Sequence, residues 1–126
     1  VPTAQATKLA SLVPLAHVAD VRKAIEFYQL LGFEVKKTVE NEGQTQWAWV
    51  QNGGANLMLA RSARPMNPGA QDVLFYMYAP DVAVYRSELE AKGVRVGVIS
   101  YPFWSPRGEF RIDDPDGYTL MVSHAN

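Results

Sequence analysis

The chain repeats itself, and that repeat constrains its fold more than any other feature. Asp20-Val21 opens an apolar-periodic run that stops at Gly32, and Asp81-Val82 opens another that stops at Gly93, twelve residues on in both cases. Further along, Gly54-Ala55-Asn56-Leu57-Met58-Leu59 is mirrored by Gly117-Tyr118-Thr119-Leu120-Met121-Val122. The first block recurs after 61 residues and the second after 63, so one short insertion separates the copies. Any two amphipathic helices look somewhat alike, but that does not explain a second match in the same order.

Each copy reads as a strand, a helix and three strands. Leu12 to Val18 is rich in apolar residues and predicts the first strand. Asp20 suits a helix N-cap, because its carboxylate accepts from the first free amides. Val21, Ala24, Ile25, Tyr28 and Leu31 follow helical spacing, and Gly32 supplies the left-handed stop. Strands are expected at 33–37, 46–51 and 55–60, the last two joined by a Gly53-Gly54 hairpin. The second copy predicts a strand over 72–78 and a helix over 81–92. Strands over 94–99, 108–113 and 118–123 follow, with Asp114-Pro115-Asp116-Gly117 as a turn. Residues 61–71 hold two prolines and a glycine and read as a linker. The expected organisation is an N-terminal extension (1–11), a first βαβββ module (12–60), the linker (61–71) and a second module (72–126). The fold class is α+β, with two curved sheets forming a cup and a helix outside each.

Composition narrows function by exclusion. A chain of 126 residues suits one compact domain, and 48% hydrophobic against 20% charged residues is globular rather than disordered. There is no cysteine, which removes disulfides, thiolate metal sites and thiol nucleophiles. A net charge of −1 without a run of Lys or Arg offers nothing to track a phosphate backbone, so no nucleic-acid partner is expected. No apolar stretch has the length of a membrane span, and Val1 to Ser11 lacks the pattern of a signal peptide. The expected location is cytoplasmic, with no membrane partner.

Two motifs carry a family resemblance. The stretch Asp20-Val21-Arg22-Lys23-Ala24-Ile25-Glu26-Phe27-Tyr28-Gln29-Leu30-Leu31-Gly32-Phe33 resembles the first-helix signature of the vicinal oxygen chelate superfamily, which includes glyoxalases, bleomycin-resistance proteins and extradiol dioxygenases. The stretch Glu109-Phe110-Arg111-Ile112-Asp113-Asp114-Pro115-Asp116-Gly117-Tyr118 resembles its last hairpin. The match covers nearly all of the chain after residue 11. It is specific for fold and weak for chemistry, since one fold hosts many activities.

The resemblance implies a cup whose metal-dependent members carry ligands on the first and last strand of each copy. Those positions fall here on Val13, Met58, Leu74 and Met121. All four are apolar, and hard divalent cations need oxygen or imidazole donors. The resemblance therefore points to the bleomycin-resistance-like branch, with no metal and no cofactor, and to a homodimer. Side chains alternate along a strand. If Val13 and Leu74 face inward, so do Leu15, His17, Tyr76 and Tyr78. If the methionines do, so do Asn56, Thr119 and Ser123. By the same resemblance Glu109 and Arg111 point inward, while Phe110, Ile112, Trp47 and Trp49 pack under the helices.

Each candidate has a plainer alternative. His17 is either a hydrogen-bonded strand residue or a ligand contact. Arg111 and Glu109 either form a pair across the sheet face or present charges to a ligand. Met58 and Met121 fill a core or line an adaptable cavity. Tyr76 and Tyr78 suit a wall with an apolar body and polar tips. The segment Tyr101-Pro102-Phe103-Trp104-Ser105-Pro106-Arg107 is either a lid, with Phe103 and Trp104 over the cup, or a dimer contact. His124 is expected in solvent.

Three functions compete. The first is a metal-independent protein that binds a partly aromatic small molecule in the cup. The second is a metal-independent isomerase or lyase using His17, Glu109 or Arg111, which requires two groups within reach of one substrate. The third is a metal enzyme with rearranged ligands such as His17 and Glu109. Whether one chain forms the cup or two chains exchange halves is left open by the linker.

Overall fold

The two copies begin their helices in the same way. Asp20 and Asp81 are both extended at φ −140°, and each carboxylate accepts a 3.1 Å bond from the amide three residues on, Lys23 in one copy and Val84 in the other. Both helices run ten residues. Gly32 (φ +97°) and Gly93 (φ +85°) follow them with backbone angles that a side chain would strain.

The computed structural model describes residues 8–126, so the first seven residues of the expected N-terminal extension lie outside the described residues. The elements are β1 (Leu15–Val18), α1 (Val21–Leu30), β2 (Glu34–Asn41), β3 (Gln44–Asn52) and β4 (Ala55–Arg61). A 3₁₀ turn (Pro68–Ala70) leads to β5 (Leu74–Ala79), α2 (Val82–Ala91), β6 (Glu109–Asp113) and β7 (Thr119–His124). The fold is α+β, as expected. One sheet has the order β1-β4-β3-β2 and the other β5-β7-β6.

The pairing is mirrored too. β1 runs parallel to β4, with Leu15 opposite Met58, and β5 runs parallel to β7, with Tyr76 opposite Met121. One face of each sheet lies against its helix. Ala16, Val18, Ala48, Val50, Leu57 and Leu59 join Val21, Ala24 and Tyr28 of α1 in the core. Phe110 and Ile112, both 1% exposed, join Leu120 and Val122 with Val82 and Leu89 of α2. Their expected place under the helix is what the structure has.

The second copy departs from the repeat at one element. The strand expected over 94–99 does not form; a single antiparallel bridge joins Ser100 to Glu109. Arg86 on α2 donates a 2.7 Å bond to the Gly97 carbonyl, which takes that acceptor away from a sheet ladder. Gly97 still donates to the Arg111 carbonyl at 2.9 Å, so the segment follows β6 without pairing regularly. The first strand is also shorter than expected, because Leu12 to Pro14 precede β1, although Met58 donates to the Pro14 carbonyl at 2.9 Å.

Tyrosine hydroxyls join the two copies. Tyr28 on α1 donates to Asp114 (2.8 Å), Tyr85 on α2 donates to the Leu31 carbonyl (2.6 Å), and Tyr118 donates to the His17 carbonyl (2.9 Å). Asp114 also accepts from the amides of Asp116 and Tyr118, both at 2.9 Å, and Asp116 accepts from the Ala19 amide at 2.8 Å. The Asp-Pro-Asp-Gly turn is therefore an acceptor cluster that docks on the first copy. Burial pushes the Asp114 carboxyl above its usual range, against the pull of the Tyr28 hydroxyl and the two amides. Burial also raises the phenols of Tyr28 and Tyr118, with Asp114 adding to both shifts, and it pushes Tyr85 up to about 12.

Candidate functional site

The sheet faces turned away from the helices collect most of the residues singled out in the sequence. On the first sheet, cross-strand partners place Leu15 beside Met58 and His17 beside Ala60. Asn56 and Met58 share that face with Gln51 and Trp49. On the second sheet, Leu74 pairs with Thr119, Tyr76 with Met121 and Tyr78 with Ser123. Glu109 pairs with Ser123 and Arg111 with Met121, which puts both on the same face. Val13 stands just before β1 and is half-buried.

Trp47 and Trp49 are not under the first helix. Trp49 lies opposite Met58 and Trp47 opposite Ala60, and their neighbours Ala48 and Val50 are the residues buried against α1. The sequence held the signal. A two-residue hairpin at Gly53-Gly54 pairs Asn52 with Ala55, and counting back from there sets Trp49 against Met58. Trp49 donates from its indole to Asn56 at 3.0 Å and so fixes that amide on the open face.

Of the two readings of Glu109 and Arg111, the pair across the sheet face does not form. Arg111 reaches the other way, to Asp113 at 2.9 Å and Thr119 at 3.2 Å. Residues two apart on a strand share a face, so Arg111 had two acidic choices. It takes Asp113, which is exposed, and not Glu109, which is 1% exposed. His124 is also placed differently. It is half-buried, and its Nδ1 accepts from the Val82 amide at 3.3 Å, at the start of α2.

The aromatic loop folds back onto the second open face. Trp104 donates its indole N–H to Glu109 Oε1 at 2.6 Å. Ser105 is buried; its hydroxyl bonds the Gly108 carbonyl (3.0 Å) and pairs with the Ser123 hydroxyl on β7. Phe103 meets Trp104 edge-on at 5.0 Å and is 90% exposed. The loop is thus tied down at its middle while its aromatic rings stay largely exposed.

In the single chain these faces are open to solvent. Leu15, Leu74, Tyr76 and Tyr78 are exposed, and Tyr76 and Tyr78 lie 6.4 Å apart between ring centroids. An apolar cavity of about 340 Å³ lies between the two sheets, bordered by Asn56, Leu74 and Tyr76 together with Leu12, Phe33 and Met77. The arrangement suits contact with a flat, largely apolar molecule. Among the described residues no three of His, Asp and Glu cluster closely enough to hold a metal ion. His17 and Glu109 lie on separate sheets, and Glu109 already accepts from Trp104. Of the acid-base candidates, Glu109 and Arg111 stand on the second open face and His17 on the first. No helix among the described residues is long and apolar enough to cross a membrane.

Comparison with known proteins agrees with this fold. A bleomycin-binding protein solved with bleomycin superposes with a TM-score of 0.77 at 18% identity, covering 94% of this chain and 100% of the other. A bleomycin resistance determinant encoded on the transposon Tn5 gives 0.78 at 18% identity, covering 94% and 99%. TnmS3, an antibiotic-binding protein from Streptomyces sp. CB03234, gives 0.72 at 24% identity, covering 94% and 100%. No curated protein matches the sequence. The profile described as "Glyoxalase/Bleomycin resistance protein/Dioxygenase superfamily" matches residues 11–122, nearly the whole chain, and the protein belongs to that superfamily.

Proposed function

We propose that this protein is a metal-independent small-molecule-binding protein whose ligand, partly aromatic, lies against the two open sheet faces. One observation carries the reading: the faces away from the helices are walled by exposed tyrosine and leucine and half-buried tryptophan and methionine where a monomer would ordinarily present polar residues. The four positions at which relatives hold a cation carry Val13, Met58, Leu74 and Met121, none of which donates a hard ligand. Solved structures of the same fold include proteins described as binding bleomycin or an antibiotic, which makes sequestration the favoured purpose. A second copy of the chain completes the enclosure, because one chain leaves these walls open. The protein then acts in the cytoplasm as a homodimer.

The test is a thermal-shift screen of protein dialysed against chelator, using neutral, cationic and anionic planar aromatics. Stabilisation by mass action is expected for at least one class, with no metal added. The paired variant Tyr76→Ser/Tyr78→Ser is expected to lose that stabilisation. A response seen only after a divalent metal is restored would contradict the proposal, as would turnover that disappears in His17→Ala while binding is kept.

A further inference from the structure

Glu109 Oε2 is the one buried side-chain polar atom among the described residues that has no hydrogen-bond partner. The residue is 1% exposed, at the start of β6 on the second open face. Its other oxygen accepts from a neutral donor, the Trp104 indole, at 2.6 Å. No Lys, Arg or His among the described residues forms an ion pair with it, since Arg111 is committed to Asp113. A buried carboxylate with no countercharge and one unpaired oxygen is costly, and folded proteins rarely keep one without a use.

Its surroundings say what partner it suits. Tyr78 and Ser123 are neighbours across the strands on the same face. The roof is the loop that carries Phe103 and Trp104, both largely exposed, so moving those rings uncovers little apolar core. A carboxylate oxygen asks for an N–H donor with positive charge. Aromatic walls favour a flat, weakly hydrated cation that stacks on ring faces over a compact, strongly hydrated ammonium.

Resting on the ligand-binding reading above, we propose that Glu109 is the anchor for a planar aromatic cation, an amidinium or guanidinium. Its N–H donates to Oε2, while Trp104 keeps Oε1 and closes over the bound molecule. Glu109 is then the residue that sets charge selectivity, and the loop around Trp104 is the cover of that subsite.

The experiment compares 2-naphthamidine with its neutral isostere 2-naphthamide by calorimetric titration. The native chain is expected to bind the cation about tenfold or more tightly than the amide, the size of one charge-assisted bond. Glu109→Gln is expected to bring the two affinities together. Asp113→Asn, which removes an exposed carboxylate from the same strand, is expected to leave the preference unchanged. Should Glu109→Gln not fold, Trp104→Phe decides the matter. It keeps a ring and frees Oε1, so preference for the cation is retained or increased. Four results overturn the inference: equal affinities in the native chain, no binding of either probe, a preference that survives Glu109→Gln, or one that falls in Trp104→Phe. Equal, measurable affinities would leave the ligand-binding reading standing while removing this inference.

Discussion

The seam between the two copies and the open sheet faces use the same residue types to opposite ends. At the seam, Tyr28, Tyr85 and Tyr118 each spend their hydroxyl on an acceptor in the other copy, and Asp114 accepts three bonds. On the open faces, Tyr76 and Tyr78 stand exposed and Glu109 keeps an unpaired oxygen. A satisfied polar network fixes one arrangement, whereas an exposed hydroxyl fixes nothing and an unpaired buried oxygen is costly. The contrast fits a seam that serves stability and, under the proposed function, faces that serve recognition.

The largest expected effect falls on the seam. Asp114→Ala leaves the Tyr28 hydroxyl and two backbone amides without their acceptor, and it is expected to cost about 3 kcal/mol in a urea titration. A loss below about 0.5 kcal/mol would mean that the seam is not what holds the copies together. Alkali tests the same network. A phenol raised in the folded state stabilises fully below the ordinary tyrosine pKa, and that contribution is lost as pH rises through the raised value. Stability is therefore expected to fall as pH climbs from the usual tyrosine value of 10 towards the raised value of about 12 at Tyr85, and less steeply in Tyr85→Phe. Equal slopes in the two proteins would break the assignment.

Effects on the open faces are expected to be smaller in stability. Trp104→Phe keeps the ring but leaves the buried Glu109 carboxylate without its donor, at a cost of about 2 kcal/mol by chemical denaturation. The paired change Tyr76→Ser/Tyr78→Ser touches only exposed rings and is expected to stay within about 0.5 kcal/mol per site while abolishing ligand-induced stabilisation. A large destabilisation there would make those tyrosines structural and blur the contrast.

Much of this was legible in the sequence, because the repeat doubles every signal. Equivalent Asp caps, equivalent glycine stops and equivalent methionines pinned the register of both copies, and alternation then divided the faces. Expectation and structure differ where packing, rather than local pattern, decides between alternatives. The segment 94–99 has strand composition, but Arg86 on α2 takes the Gly97 carbonyl. Arg111 had two acidic neighbours at equal spacing, and only burial of Glu109 beneath Trp104 separates them. Large aromatics are ordinarily core, yet Trp47 and Trp49 stand on the open face, as the register of the Gly53-Gly54 hairpin requires. The tyrosine bonds of the seam cross the two modules and carry no local signature.

The chain has three tryptophans, Trp47, Trp49 and Trp104. Two stand on the open face of the first sheet and the third covers that of the second. Acrylamide quenching of tryptophan emission, measured with and without a ligand found in the screen, reads those faces directly. If the ligand lies there, quenching falls by about half or more as the rings are covered. Binding that leaves the quenching unchanged would place the ligand elsewhere and contradict the account.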